Sequence, residues 1–237
     1  MIAVIIPALN EEGNVADVVS NLRAESVDVV IVVDNGSDDA TADVAAGAGA
    51  VVVSEPRRGY GYACAAGSAE ALRQGATVLV YIDADQSSRA DEISRLLMPL
   101  DDGADLVLGS RTRGTIEQGA MGPHQRFGNW LTAAIMRRLY DIDVTDLGPY
   151  RAIRGDLFGE LDMREMTFGW PTEMMVKCAR RQSLIVEVPV TWQSRYSGDS
   201  KVSGTIKGSA LAAWFLLSVT VKHAFGKKPP RWQSNVV

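Results

Sequence analysis

Three short apolar runs in this chain of 237 residues each end in acidic or amide side chains. The run Ala3–Ile6 leads into Pro7-Ala8-Leu9-Asn10-Glu11-Glu12, and Val29–Val33 leads into Asp34-Asn35-Gly36-Ser37-Asp38-Asp39. The run Val78–Ile82 passes directly into Asp83-Ala84-Asp85. Two carboxylates at i and i+2, leaving a buried segment, repel each other unless a cation joins them. Their oxygens are hard ligands suited to Mg²⁺ or Mn²⁺. An ion held there also grips a diphosphate and neutralises the charge that develops as it departs. The plainer reading makes all these residues loop formers and helix caps, and Asn10 and Asp39 are well placed to cap helices. That reading leaves Asp83 and Asp85 unexplained.

Chemistry of this kind needs elements that bring the three run ends together. Ala3–Ile6, Val29–Val33, Val51–Val53, Val78–Ile82 and Leu106–Leu108 are β-branched or Leu-rich and short, as buried strands are. Between them Val15–Arg23, Ala40–Ala48, Ala63–Gln74 and Asp91–Leu100 carry helical periodicity. Strand–helix alternation with short connections implies an α/β fold with a mostly parallel sheet covered on both faces. In such sheets ligands bind beyond the carboxyl ends of the strands. The rhythm changes after residue 110. Pro123–Leu139 reads as a helix, Pro149–Ile153 as a short strand, Thr172–Arg180 as a helix and Leu184–Val188 as a strand. The Gly-rich polar stretches 109–122 and 194–204 read as mobile loops. A last helix is expected over about Ile206–Phe225, followed by an extended or disordered tail from Gly226 with Pro229-Pro230.

The set Val4-Ile5-Ile6-Pro7-Ala8-Leu9-Asn10-Glu11, Val32-Val33-Asp34-Asn35-Gly36-Ser37-Asp38-Asp39, Asp83-Ala84-Asp85 and Gly109-Ser110-Arg111 resembles the family 2 glycosyltransferases. The resemblance covers about residues 2–205 and implies the GT-A fold, a Rossmann-like sheet flanked by helices. Within the family the chain looks most like the dolichyl-phosphate-mannose synthase and polyprenyl-phosphate glycosyltransferase branch. The residues that carry this are Arg126-Phe127-Gly128-Asn129, Asp146-Leu147-Gly148-Pro149-Tyr150-Arg151 and Ser200-Lys201-Val202-Ser203-Gly204. The family implies that Pro7, Asn10, Glu11 and Glu12 line the nucleotide pocket, and that Asp34, Asp38 and Asp39 face the base and ribose. Asp83, Ala84 and Asp85 would hold the donor diphosphate, with Asp83 and Asp85 on the metal. The branch usually continues the acid pair with Leu-Gln and then Pro-Pro. Here Gln86-Ser87-Ser88-Arg89 follows, so Gln86 is the candidate for the missing ligand.

Arginine forks match phosphate oxygens and lysine supplies a point charge. Arg111 and Lys201 are read as functional. For Arg126 and Arg151 the reading is balanced between an acceptor phosphate and surface pairing with the 29 acidic residues. Glu173, in Gly169-Trp170-Pro171-Thr172-Glu173-Met174, is the general-base candidate; its plain alternative is a first-turn glutamate favoured by the helix dipole. Gly59-Tyr60-Gly61 with Gly67 falls short of a dinucleotide fingerprint and is read as a tight helix entry, with Arg57-Arg58 near phosphate. His124 and His223 form no catalytic pair, and Cys64 and Cys178 are read as core residues.

Composition narrows the field. At 46% hydrophobic and 22% charged the chain is globular, and a net charge of −5 argues against nucleic acid as partner. Two distant cysteines give no disulfide framework or zinc site, and fit a cytoplasmic setting. From Ser200 onward there are six basic residues and no acidic one, whereas the first 199 residues hold 18 basic and 29 acidic side chains. That asymmetry asks for an anionic partner at the C-terminal end. The apolar stretch from Ala210 to Val221 is too short to span a membrane. Residues 1–205 are read as the GT-A domain and 206–237 as an apolar, basic helix and tail that lies on the inner face of the cell membrane or packs as a homodimer through 206–225. The function expected is inverting transfer of a sugar from a nucleotide-diphosphate sugar, with Mg²⁺ or Mn²⁺, to a polyprenyl phosphate. Transfer to a soluble or protein hydroxyl, a non-catalytic nucleotide-sugar-binding module and, more weakly, a dinucleotide-dependent oxidoreductase are the alternatives.

Overall fold

The structure, a computed structural model, describes residues 1–196, 214, 216–225 and 229–233. Among the described residues seven strands form one sheet, in the order β3-β2-β1-β4-β6-β5-β7. They are β1 Ile2–Ala8, β2 Val29–Asp34, β3 Val51–Ser54, β4 Val78–Tyr81, β5 Leu106–Ile116, β6 Arg151–Arg154 and β7 Ile185–Trp192. All neighbours pair in parallel except β6, which runs antiparallel between β4 and β5. Two antiparallel pairings in succession restore the direction. The carboxyl ends of β1, β2, β4, β5 and β7 therefore point to one edge.

The helices are α1 Val15–Arg23, α2 Thr41–Gly47, α3 Tyr60–Arg73, α4 Ile93–Asp101, α5 Pro123–Tyr140, α6 Gly155–Glu160 and α7 Trp170–Arg180. Side chains alternate across a strand, so each run of β-branched residues feeds two cores. Ile5, Ile31, Leu79 and Tyr81 pack with Cys64 and Ala71 of α3 and with Met174 and Cys178 of α7. Val4, Ile6, Val32 and Val80 face the other way, onto Val18 and Leu22 of α1 and Leu96 of α4. Burial on both faces is why these strands read as continuous apolar runs rather than as alternating ones.

The largest departure from the sequence reading is β5. The stretch 109–122 reads as a Gly-rich loop, yet the strand continues to Ile116. Its far half pairs with β7, Thr115 opposite Thr191 and Ile116 opposite Trp192, after a register shift between Ser110 and Thr115. A side chain at Gly114 would collide with the Val190 backbone, so this glycine permits a close strand approach rather than a loop. β7 correspondingly runs to Trp192, beyond the expected Val188. Helix α7 opens at Trp170 because Pro171 suits the first turn, and Asn10 caps no helix: α1 begins after Asn14, while Asn10 sits at φ 52°.

Of the expected 206–225 helix, the described part is helical over 216–222 and rests on the body through buried Val219 and Thr220. The Tyr140 hydroxyl at the end of α5 donates to the Thr220 carbonyl. Residues 206–213, and with them the proposed boundary at 205, lie outside the described residues. Within the tail, Trp232 docks: its backbone N–H donates to the Arg181 carbonyl at 2.8 Å and its indole N–H to Asp105 at 3.1 Å. Among the described residues no helix is long and apolar enough to cross a membrane.

Gly67 of α3 packs directly on the sheet. A Cβ there would lie 2.5 Å from Ile5 Cγ2 and 2.9 Å from Val33 Cγ2, both stiff branches. Gly67→Ala should therefore lower unfolding stability by about 1–3 kcal/mol, measured by urea denaturation, despite alanine's better helix propensity.

Candidate active site

A cleft of about 610 Å³ opens at the carboxyl edge of the sheet. Pro7 and Glu11 come to it from the end of β1, and Asp83, Ala84 and Asp85 from the end of β4. Five of the residues singled out from sequence thus share one wall. Tyr60 at the start of α3, Phe168 and Trp192 add aromatic side chains to the lining.

The acid pair is fixed by its neighbours. Asp85 Oδ1 accepts from the Ser87 backbone N–H at 3.0 Å and from its hydroxyl at 2.5 Å. Asp83 accepts from the Tyr60 hydroxyl at 3.3 Å. Burial, and then the charge of Asp85, push the Asp83 carboxyl up to about 7, while the Tyr60 bond, Arg111 and Arg195 oppose the shift. The guanidinium of Arg195, on the chain just after β7, lies 3.0 Å from Asp85 Oδ2 and 3.0 Å from Glu11 Oε1. One positive group thus bridges the acids from two strands. Sequence reasoning did not find Arg195. The signal was available: it is the sole basic residue between Arg181 and Lys201, and it follows a strand that ends at the same edge as β1 and β4.

The two carboxylates at the end of β4 are hard oxygen ligands of the kind a divalent cation takes when substrate phosphates complete its shell. Arg195 places a positive charge between Asp85 and Glu11. Among the described residues no group of three His, Cys, Asp or Glu side chains is placed to hold a metal ion, so substrate phosphates would have to supply the rest of the shell. Gln86 does not join the acids. It adopts φ 62°, which sends its side-chain amide to Asp17 of α1 at 3.3 Å, away from Asp85.

The residues expected to meet the nucleoside form a stapled double loop. The Asn10 backbone N–H donates to Ser37 Oγ at 2.9 Å, and Asn10 Oδ1 accepts from the Asp38 backbone at 2.8 Å. Glu12 and Asp39 exchange similar bonds: Asp39 accepts from the Glu12 N–H and Glu12 from the Ala40 N–H. Asp34 Oδ1 accepts from the Ser37 backbone at 3.0 Å. Asn10, Glu12, Asp34 and Asp39 therefore shape the rim and do not line the cleft. Asp38 is exposed and pairs with Arg58, which does line it. Asn35 holds this side rigid, its side chain bonding the carbonyls of Glu55 and Arg57 and the N–H of Gly59.

Four other expected residues are not among those that line the cleft. Arg111 forms a two-pronged pair with Asp146, at 2.6 and 2.8 Å, and stacks 4.9 Å from the Trp192 ring centre. Burial alone would raise the Asp146 carboxyl, but Arg111 outweighs it and holds it below its usual range. Arg111 thus backs the Trp192 wall, and its charge also acts on Asp83. Arg151 is 1% exposed and donates to the carbonyls of Pro171 and Gly148, which rules out surface pairing. Glu173 is 2% exposed; its Oε2 accepts from the N–H groups of Arg164 and Glu165, and its Oε1 pairs with Lys177 at 2.9 Å. Those bonds close the loop that carries Phe168, so the carboxylate positions the wall instead of reaching into the cleft. Arg126 is exposed in the first turn of α5, donating to the Met121 carbonyl at 3.3 Å. Lys201 lies outside the described residues.

Residues 3–162 match the sequence pattern of glycosyl transferase family 2. The chain belongs to that family. An uncharacterised glycosyltransferase of Mycobacterium tuberculosis is 36% identical over 215 residues, covering 89% of this chain and 94% of that one. A polyprenol monophosphomannose synthase of Mycolicibacterium smegmatis is 33% identical over 220 residues, covering 85% and 81% respectively. Among solved structures, glucosyl-3-phosphoglycerate synthase of Mycobacterium tuberculosis, in complex with Mn²⁺, UDP-glucose and phosphoglyceric acid, superposes with a TM-score of 0.73. It is 21% identical and covers 94% of this chain and 79% of its own, a likeness of fold. The fold of this family 2 glycosyltransferase is α/β and GT-A, as the strand-end motifs imply.

Two measurements follow from the charges. Arg195→Ala leaves the acids of β1 and β4 without their counter-ion, so in EDTA at neutral pH it should melt lower than the parent by the equivalent of about 1–3 kcal/mol. Added Mn²⁺ should narrow the gap, and equal melting of the two proteins in EDTA would disprove the counter-ion role. For Arg111→Gln the sign follows from Asp146. A depressed carboxyl stabilises the fold above its unfolded value of about 3.9 and loses that contribution as pH falls through the lower folded value. The variant's deficit in urea denaturation should be large at pH ~7, about 3–5 kcal/mol, and shrink once both states protonate in acid.

Proposed function

We propose that this glycosyltransferase moves a sugar from a nucleotide-diphosphate donor to a polyprenyl phosphate, with inversion, using Mg²⁺ or Mn²⁺. The observation that carries the reading is the acid pair of β4, matched by Glu11 and countered by Arg195 at the mouth of a cleft of nucleotide-sugar size. Asp83, Ala84 and Asp85 would hold the donor's diphosphate end, Asp85 with Asp83 binding the ion. Pro7 and Glu11, backed by the stapled Asn10–Glu12 and Asp34–Asp39 loops, would frame the nucleoside. The ion, when bound, neutralises the diphosphate as it leaves. Arg195 would exchange its carboxylate partners for phosphate oxygens, since a guanidinium matches either.

The phosphate acceptor is favoured over a hydroxyl acceptor by the state of Glu173. Attack by a hydroxyl requires a base in hydrogen-bond reach, whereas a phosphate monoester, with a second pKa of about 6, is already anionic at neutral pH. Glu173 is occupied by Arg164, Glu165 and Lys177, and neither His124 nor His223 lines the cleft. Relatives named polyprenol monophosphomannose synthase and, in Micrococcus luteus, undecaprenyl-phosphate mannosyltransferase support the same acceptor class. Lys201 and Arg126 are the remaining candidates for the acceptor phosphate, and a cytoplasmic location at the inner membrane face follows from such an acceptor.

A screen of UDP- and GDP-sugars with each metal, with and without polyprenyl phosphate, tests the proposal. Transfer should require both metal and lipid phosphate. Asp85→Asn should lose at least about 10²-fold in kcat with the fold intact by circular dichroism. Glu173→Gln should stay within about tenfold, short of the 10²–10⁴-fold that loss of a general base costs. Transfer only to hydroxyl acceptors, abolished by Glu173→Gln, would replace this acceptor with the alternative.

A further inference from the structure

Helix α5 exposes an aromatic pair that the cleft does not use. Phe127 is 61% exposed and Trp130 57%, with ring centres 5.9 Å apart on adjacent turns of one face. The 18 residues of α5 contain Arg126, Arg137 and Arg138 and no Asp or Glu, in a protein whose net charge is −5. Arg126 and Arg138 are exposed and have no acidic partner among the described residues, although most exposed arginines elsewhere do, such as Arg73 with Glu70 and Arg89 with Asp91. The first acids come only after the helix, and of these Asp143 is taken by Arg113.

We infer that the Phe127–Trp130 face of α5, flanked by unpaired Arg126 and Arg138, is a docking surface for an anionic lipid bilayer. The apolar ring of Phe127 and the indole of Trp130, with its polar N–H, suit the boundary between headgroups and acyl chains, and each nearby arginine adds attraction to anionic lipid. Charge selects this occupant over a second copy of the chain: a two-fold contact would bring the arginines of one helix against those of the other. Position supports it as well. Ala120, which lines the cleft and accepts from the Trp192 indole at 3.2 Å, lies only a few residues before α5. Phe127 and Trp130 are then within about three helical turns of the cleft rim. A lipid phosphate entering from a bilayer on this face would meet Arg126 first. The membrane contact is thereby assigned to α5, separately from the C-terminal segment. The inference deepens the lipid-acceptor reading above and rests on it only for the acceptor's route.

The test uses the full chain and sedimentation with phosphatidylglycerol–phosphatidylcholine vesicles against phosphatidylcholine alone. The parent should bind the anionic vesicles, less so as salt rises. The double substitution Phe127→Ser, Trp130→Ser should weaken that binding by roughly tenfold or more at unchanged circular dichroism and melting temperature. Arg138→Gln should weaken binding to anionic vesicles alone. Binding undiminished by the double substitution would overturn the inference, as would a parent dimer that the substitution dissolves. Transfer to a detergent-dispersed short-chain polyprenyl phosphate separates the two proposals. If no lipid phosphate is ever glycosylated while vesicle binding still depends on the aromatic pair, the acceptor reading falls and the docking surface stands.

Discussion

Two carboxylates two residues apart, at the end of a strand buried on both faces, cannot both stay ionised without positive charge nearby. The carboxyl edge of this sheet is arranged around that constraint. β1 adds a third acid, Glu11, and the chain after β7 supplies Arg195. Ser87 and Tyr60 orient the pair from either side. Burial, and then the charge of Asp85, raise the Asp83 carboxyl, while Tyr60, Arg111 and Arg195 oppose the shift.

The rest of the molecule holds these groups in register. Glu11 and Asp85 face each other because β1 and β4 are adjacent and parallel, with Ile5 opposite Tyr81. Arg195 reaches them because β6, inserted antiparallel, returns β5 and β7 to the direction of β4. The buried ions that do not touch the cleft serve its walls. Arg111 with Asp146 supports Trp192, and Glu173 ties down the segment that carries Phe168. Removing one partner of such a pair leaves an uncompensated charge in the interior, which makes these residues sensitive positions for stability.

Charge outside the cleft follows a second pattern. Exposed arginines near the acidic loops are paired, whereas those of α5 beside Phe127 and Trp130 are not. Under the lipid-acceptor proposal a polar cleft has to be reconciled with an apolar chain that stays outside it. A helix that begins near the cleft rim and is aromatic and basic along its exposed side would meet that need.

Sequence by itself determined the alternation of strands and helices, the edge at which ligands gather and the acid pair of β4, because these depend on local periodicity and on one rule about parallel sheets. It also carried the family, through strand-end motifs whose residues are near one another in the chain. Tertiary structure alone decided which charges face the cleft. Arg111, Arg151 and Glu173 have the right residue types, yet their partners Asp146, Gly148, Pro171 and Arg164 are set by how distant segments pack. Gln86 follows the acids in sequence but turns away through a single left-handed backbone angle. Arg195 stands 110 positions from Asp85 and meets it only because an antiparallel strand redirects the sheet. Charge recognition acts over a few ångströms, and no local pattern records which segments come that close.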